Sequence, residues 1–128
     1  MKHYDVVAAV ICHGDKILCM QKGRTRFGYT SYKYEFPGGK IEPGETPRQA
    51  LHRELIEEMD YDVKVGREII TVSHEYPDFS ISLTAFECDV TSTDFRMNEH
   101  IASRWCTKEE LSLLDWAAAD IGIVKALL

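Results

Sequence analysis

Residues 38–61, GGKIEPGETPRQALHRELIEEMDY, constrain this chain more than any other stretch. The stretch opens with Gly38 and Gly39, and a glycine pair predicts a turn whose main chain can approach a ligand or metal closely. Thr46 suits the cap of a helix, and the proline after it suits the first helical position. The helix is predicted to end at Asp60, because aspartate tolerates the left-handed conformation that a C-terminal cap often needs.

The predicted helix has an apolar stripe beside an acidic face. The stripe consists of Leu51, Leu55 and Met59. Glu54, Glu57 and Glu58 share a neighbouring arc, and Arg53 lies four residues before Glu57. One interpretation of this pattern is an ordinary solvated acidic face. The other is a Mg²⁺ site, because Mg²⁺ prefers oxygen ligands and bridges carboxylates to substrate phosphates. Only a cation also accounts for Glu45 and the glycine pair upstream.

The composition favours one globular domain over residues 1–128. Hydrophobic residues make up 45% of the chain and charged residues 28%, which is ordinary for a folded protein. The net charge of −6 disfavours a nucleic-acid partner, because such binding needs clustered Lys and Arg. An anionic small molecule bound through a metal ion is still compatible with that charge. No apolar run approaches the length that crosses a bilayer, so no membrane partner is expected.

The cysteines indicate a reducing compartment. They are Cys12, Cys19, Cys88 and Cys106. Because none of them forms a Cys-x-x-Cys pair, free buried thiols are predicted rather than a zinc site or a disulfide framework. The residues after Met1 form no secretory apolar segment. A cytoplasmic location is therefore expected.

Short β-rich runs and helical patterns follow one another along the chain. The predicted strands cover residues 6–12, 16–20, 34–36, 63–75, 80–90 and 101–106, with a turn at 76–79. A capping-box pattern at Thr107 predicts a short helix through Leu114, and residues 115–128 predict a final amphipathic helix. This order favours an α+β fold, an α/β/α sandwich with a mixed β-sheet between helices.

Residues 21–33 show neither helical nor strand periodicity and are predicted to form a loop. Its basic residues are Lys22, Arg24, Arg26 and Lys33. Two interpretations are open. The loop is either a solvated connection or a basic lid over an anionic ligand.

The spacing of Gly39, Glu45 and the run of residues 53–58 matches a known signature. It resembles the Nudix box, Gly-x5-Glu-x7-Arg-Glu-U-x-Glu-Glu-x-Gly-U, in which U is a bulky apolar residue. Every fixed position matches except the last glycine, where this chain has Asp60. Tyr61 stands at the final apolar position.

The resemblance extends over nearly the whole chain. Residues 35–42 and the strand around Trp105 resemble MutT-type nucleoside triphosphate pyrophosphohydrolases. The tail, with residues 99–100, 105–106, 109–111 and 119–121, is similar to the CTP pyrophosphohydrolase branch of that group. The fold implied by this resemblance agrees with the layered fold predicted above.

The resemblance implies a site for Mg²⁺, with Mn²⁺ as a possible substitute. The implied metal ligands are the Gly39 carbonyl, Glu54, Glu57, Glu58 and Glu99. The implied catalytic residues are Glu54, Glu57 and Glu99, with Glu54 or Glu99 as the base that deprotonates water. Apart from the resemblance, Glu99 is equally well explained as an ordinary loop glutamate. Arg53 would orient the glutamates rather than touch the substrate.

The implied reaction is hydrolysis of a (deoxy)nucleoside triphosphate to a monophosphate and pyrophosphate, with attack at the β-phosphorus. The substrate would be an oxidised nucleotide such as 8-oxo-dGTP, in nucleotide-pool sanitising, or a CTP or dCTP type. Two alternatives keep the signature. One is hydrolysis of a nucleoside diphosphate linked to another group, and the other is a nucleotide-sensing module without catalysis.

Several residues are candidates for substrate binding. Lys40, Lys22, Arg24 and Arg26 are candidates for phosphate oxygens, with Lys40 beside the metal in the resembled motif. Asp120 matches a position that contacts the base edge in the resembled enzymes, although a carboxylate in the first turn of a helix also interacts with the helix dipole. Phe79 is a candidate stacking surface, with core packing as its alternative. Whether the protein is a monomer or a homodimer is open at this stage.

Overall fold

A mixed sheet of seven strands forms the middle layer of the structure, a computed structural model that describes residues 1–128. The strands are β1 (Lys2–His13), β2 (Lys16–Lys22), β3 (Tyr34–Glu35), β4 (Gly38–Lys40), β5 (Lys64–Glu75), β6 (Phe79–Asp89) and β7 (His100–Cys106). The helices are α1 (Pro47–Met59), α2 (Lys108–Leu111) and α3 (Ala118–Leu127).

Strand β1 runs through the centre of the sheet and pairs with three other strands. It is parallel to β6 along its length, from Lys2 opposite Phe79 to Cys12 opposite Asp89. Its middle pairs antiparallel with β4, and its end turns into β2. Strands β5 and β6 form the predicted long antiparallel hairpin, and β7 pairs antiparallel with β2. The predicted mixed sheet is therefore confirmed.

The two faces of the sheet carry separate apolar cores, because successive side chains of a strand point to opposite faces. On one face Val7, Ala9 and Ile11 pack with the buried stripe of α1. On the other face Ala8 and Val10 pack with residues of α3 and the C-terminal segment. The α/β/α arrangement is thus confirmed, and it places α1 and α3 on opposite sides of β1.

Helix α1 follows its local sequence signals. Thr46 caps it by accepting a hydrogen bond from the Gln49 backbone N–H (3.1 Å), and the Gln49 Oε1 accepts one from the Thr46 backbone N–H (2.9 Å). The helix ends at Asp60, which has the predicted left-handed conformation (φ 48°, ψ 43°). The predicted apolar stripe of Leu51, Leu55 and Met59 is fully buried.

The glycine pair lies in a strand rather than in the predicted turn. Gly38 and Gly39 belong to β4, and neither has a positive φ. What the structure requires of them is small size. A β-carbon on Gly38 would overlap the carbonyl oxygen of Val7, and one on Gly39 would overlap the carboxyl group of Glu54. The predicted turn is therefore wrong, and the close approach of the main chain is to Val7 and Glu54.

Several further boundaries differ from the predictions. Helix α2 ends at Leu111, and α3 begins at Ala118 because the residues before it bond to β3: Tyr34 donates to the Asp115 carbonyl (2.8 Å) and Ala117 donates to the Tyr34 carbonyl (2.9 Å). Strand β2 continues to Lys22, which the sequence had placed in a loop. Strand β6 begins at Phe79, which the sequence had placed in the turn.

None of the helices is both long enough and apolar enough to span a membrane. The four cysteines are free thiols, as predicted. Cys19, Cys88 and Cys106 are buried, whereas Cys12 is only half-buried.

Candidate active site

Arg53 holds the acidic residues of the site together. Its Nε donates to Glu45 Oε2 (2.6 Å), and its Nη2 donates to Glu45 Oε1 (2.9 Å). Its Nη1 donates to Glu54 Oε1 (2.9 Å) and Glu57 Oε2 (3.3 Å), while Nη2 also reaches the carbonyl oxygen of Lys40 (3.1 Å). These hydrogen bonds from Arg53 lower the pKa of Glu45 to about 2. The guanidinium thereby ties the loop before α1 and the end of β4 to the acidic face of the helix.

Glu58 lies at the meeting point of three carboxyl groups. Burial, followed by the neighbouring carboxyls of Glu54 and Glu99, raises the pKa of Glu58 to about 9. Close carboxylates cannot all ionise without strong repulsion, so a proton is retained unless a cation takes its place. The main chain of Gly39 borders the same cluster, against Glu54. The structure therefore brings together Gly39, Glu54, Glu58 and Glu99 from four separate positions in the sequence.

Glu57 lies at the edge of this cluster. Its side chain is 60% exposed and points along the helix surface, with Arg53 as its partner. By contrast, the Glu54 side chain is only 13% exposed. Of the two carboxyl groups, that of Glu54 is the more shielded from water and is therefore better suited to acid–base chemistry.

The donor set fits a hard divalent cation. All the groups that converge are oxygen donors, and their mutual repulsion is relieved by a positive ion. No three metal-ligating side chains form a ready-made cage in the structure. Mg²⁺ does not need one, because it usually keeps several waters and binds through one or two carboxylates together with substrate phosphates.

Lys40 is exposed and follows Gly39 in β4. Its Nζ lies 4.1 Å from the centre of the Tyr4 ring, on the sheet face opposite α1. Phe79 stands beside Tyr4 with ring centroids 6.0 Å apart, and it also packs on Phe27 (5.7 Å) and Tyr76 (4.9 Å). Phe79 is thus part of an aromatic group that packs the 23–33 segment onto the β5–β6 hairpin.

The basic residues of the 23–33 segment do not converge on the carboxylate cluster. Arg24 is exposed and forms no ion pair, and Arg26 lies over the ring of Phe27 at 5.4 Å. Lys33 pairs with Asp115 (2.8 Å), at the opposite end of the segment. Only Arg24 and Arg26 therefore have charges available to an anionic ligand.

A second group of charged residues joins strands β2, β3 and β7, and the sequence did not reveal it. Glu35 Oε2 is 2.8 Å from His100 Nε2, and Glu35 Oε1 is 3.4 Å from Lys22 Nζ. Lys22, a candidate for phosphate binding, therefore pairs with the half-buried Glu35 instead. The only local signal was the charged Glu35 between two aromatic residues in a short apolar strand. Its partners come from distant strands.

Asp120 adjoins this group from the first turn of α3. It is 6% exposed, and its Oδ1 accepts a hydrogen bond from the Phe36 backbone N–H (3.0 Å). Burial and then the charge of Glu35 raise the pKa of Asp120 to about 8. At neutral pH its carboxyl group is therefore largely protonated, and it can donate one hydrogen bond while accepting another.

Comparison with known proteins agrees with this geometry. The NUDIX domain profile matches residues 2–127. The chain is 37% identical over 128 residues to the CTP pyrophosphohydrolase of Escherichia coli (strain K12), covering 100% of this chain and 93% of that protein. It is 40% identical over 87 residues to the 8-oxo-dGTP diphosphatase of Proteus vulgaris, covering 66% of this chain and 75% of that protein.

A solved structure shows the same fold. The solution structure of the E. coli ORF135 protein superposes with a TM-score of 0.83 at 36% identity, covering 99% of this chain and 89% of that one. The domain match and this structure both cover nearly the whole chain, including the carboxylate cluster. The chain belongs to the Nudix family, and it is a hydrolase of the MutT-like pyrophosphohydrolase group.

Proposed function

We propose that residues 1–128 act as one catalytic domain that hydrolyses (deoxy)nucleoside triphosphates to a monophosphate and pyrophosphate in the presence of Mg²⁺. One observation carries this proposal: the carboxyl groups of Glu54, Glu58 and Glu99 meet beside the main chain of Gly39. A cation bound there would draw a polyphosphate to the edge of β4, where the ammonium group of Lys40 is exposed.

The metal would be held by oxygen donors of this cluster, and Mn²⁺ would substitute for Mg²⁺. Its ligands would be drawn from the Gly39 carbonyl and the carboxylates of Glu54, Glu57, Glu58 and Glu99, with waters and substrate phosphates in the other positions. The ion supplies charge neutralisation of the triphosphate and makes water easier to deprotonate. Glu54 takes the proton from the attacking water, and Glu99 is the alternative base. Arg53 holds Glu54 in place for this transfer.

The substrate would lie between the acidic cluster and the face of the sheet that carries α3. Lys40 and Arg24 contact phosphate oxygens, because both carry charges without an acidic partner. Asp120 contacts the edge of the base, and Phe79 with its aromatic neighbours offers a stacking surface. Attack is expected at the β-phosphorus.

The base would be a cytosine or an oxidised guanine. A carboxyl group that both donates and accepts, as Asp120 does at neutral pH, matches a base edge that carries an amine next to a ring nitrogen or oxygen. The relatives named as CTP pyrophosphohydrolase and as 8-oxo-dGTP diphosphatase support these two classes. The enzyme would thus act on CTP or dCTP types or sanitise the nucleotide pool, in the cytoplasm, where its four free thiols are stable.

The test is a panel of normal and oxidised nucleoside triphosphates incubated with purified protein and Mg²⁺. The proposal predicts equimolar monophosphate and pyrophosphate from at least one of CTP, dCTP and 8-oxo-dGTP, and no product after chelation of the metal. Nucleoside diphosphate sugars serve as a parallel set. Cleavage of those compounds alone, with silence across the triphosphates, would contradict the proposal.

A further inference from the structure

Glu99 is the one member of the carboxylate cluster that does not belong to a regular element. It lies directly before β7, at the end of residues 90–99, which contain neither helix nor strand. It is also exposed, and its neighbour Glu58 repels it whenever both carboxyl groups are ionised. A flexible loop would let such a side chain move away, so its place in the cluster needs a separate physical cause.

The residues before Glu99 are bound to the end of α1. Arg96 donates its backbone N–H to the Met59 carbonyl (2.8 Å). Asn98 donates twice, with its backbone N–H to the Glu58 carbonyl (3.2 Å) and with Nδ2 to the Glu57 carbonyl (3.1 Å). The last carbonyls of a helix have no partner within it, so a distant segment here caps the helix. The cap joins the chain before Glu99 to the residues that carry the acidic face.

The residue after Glu99 is bound on the side of the sheet opposite α1. His100 is buried, and its Nε2 lies 2.8 Å from Glu35 Oε2. It stands opposite Lys22 at a bulge in the β2–β7 pairing. Its Nδ1 is buried without a hydrogen-bond partner, which costs free energy. His100 therefore keeps its hydrogen bond to Glu35 although its other ring nitrogen, Nδ1, has no partner.

We propose that Asn98 and His100 are positioning residues that hold the carboxyl group of Glu99 against that of Glu58. Successive side chains near the start of a strand point to opposite faces, so anchoring His100 toward Glu35 directs Glu99 toward α1. Asn98 fixes the distance to α1 through the helix carbonyls. This inference rests on the proposed function, in which Glu99 is a metal ligand or base.

The decisive experiment is a double-mutant cycle on pyrophosphate release. Asn98→Ala removes the side-chain bond to α1 and keeps both backbone bonds, so the fold is expected to persist. Loss of such a supporting contact lowers kcat by about tenfold, with KM for the nucleotide unchanged. In the Glu99→Gln background the same substitution is expected to change kcat less than about twofold, because its effect acts through Glu99.

A matched control lies in the same segment, residues 90–99. Ser92→Ala removes a hydrogen bond from the Asp94 N–H (3.0 Å) and touches neither α1 nor Glu99. Its kcat should equal that of the wild type. His100→Leu and His100→Gln form a second pair: the leucine variant should lose kcat, and the glutamine variant should recover part of it because its amide can donate to Glu35.

A readout independent of turnover is the NMR order parameter of the Glu99 amide. Rigid backbone gives about 0.85, and Asn98→Ala should lower the value below about 0.6 while Ser92→Ala leaves it unchanged. Equal loss of kcat in both Glu99 backgrounds, or an unchanged rate in Asn98→Ala or Glu99→Gln, would overturn the inference and leave the proposed function intact. If the wild type releases no pyrophosphate from any nucleotide, the proposed function fails, and the order parameter alone decides the positioning role.

Discussion

The main chain of Gly39 lies so close to the carboxyl group of Glu54 that a β-carbon on residue 39 would stand 2.6 Å from both carboxylate oxygens. This contact explains why a glycine is needed one strand away from the acidic helix. It joins β4 to α1 at the point where Arg53 also binds Glu54 and the Lys40 carbonyl. The backbone of β4 and the Glu54 carboxylate are thus in direct contact in the site.

Gly39→Ala is predicted to inactivate the enzyme without unfolding it. The added carbon would meet the far end of a flexible side chain, so Glu54 can rotate away at little cost in stability. A displaced catalytic carboxylate of this kind costs about 10²-fold in kcat. The free energy of unfolding should change by less than about 1 kcal/mol. Steady-state kinetics and denaturant titration measure the two quantities.

The neighbouring glycine gives the matched control. A β-carbon on Gly38 would overlap the backbone of Val7, which cannot rotate away. Gly38→Ala should therefore destabilise the protein by about 1–3 kcal/mol or more. If both variants lost stability to the same extent, the close approach of Gly39 to Glu54 would have no special role.

Local signals made helix α1 predictable, and long-range contacts made other parts unpredictable. Thr46, Pro47 and Asp60 act through bonds within a few residues, so the bounds of α1 follow from the sequence. The glycine pair was assigned to a turn because its neighbours across the sheet, Val7 and Glu54, are distant in sequence. A prediction from local patterns has no access to such contacts.

The same limit applies to the two charged clusters. Glu54 and Glu58 share a helix face and were predicted together, but only resemblance to a family brought in Glu99. The bond between Glu35 and His100 joins residues from two strands that do not pair with each other directly. Strand periodicity could not indicate it.

Asp60→Gly is predicted to stabilise the protein. Asp60 holds a left-handed conformation (φ 48°), which glycine adopts without steric cost. Its only ion-pair partner, Arg96, is 4.0 Å away and exposed, so little is lost. The free energy of unfolding should rise by up to about 1 kcal/mol with kcat unchanged. Asp60→Val is the control, and it should destabilise, because β-branched residues fit this conformation poorly.

Asp120→Asn is predicted to flatten the dependence of stability on pH. Burial and Glu35 raise the pKa of Asp120 to about 8, from 3.8 in the unfolded chain. Between these values the folded state keeps a proton that the unfolded state releases, so stability falls as pH rises from about 4 to 8. The loss is at most about 1.4 kcal/mol per pH unit from this group. The asparagine variant has no carboxyl group to titrate and therefore lacks this loss of stability.

Denaturant titrations at pH 5 and pH 8 measure this difference. The wild type should lose more stability over the interval than Asp120→Asn does. Asp115→Asn serves as the control, because the Asp115 side chain is 74% exposed and precedes the same helix. Equal pH slopes in the wild type and Asp120→Asn would show that the Asp120 carboxyl group is not held protonated by burial.

The most direct test of the central claim is hydrolysis of CTP, dCTP and 8-oxo-dGTP in H₂¹⁸O with Mg²⁺, comparing the wild type with Glu54→Gln. The account predicts ¹⁸O in pyrophosphate and none in the monophosphate, with kcat about 10³-fold lower in Glu54→Gln. Glu68→Gln, an exposed glutamate on β5, should match the wild type. Absence of pyrophosphate from every triphosphate, or near-normal turnover by Glu54→Gln, would contradict the account.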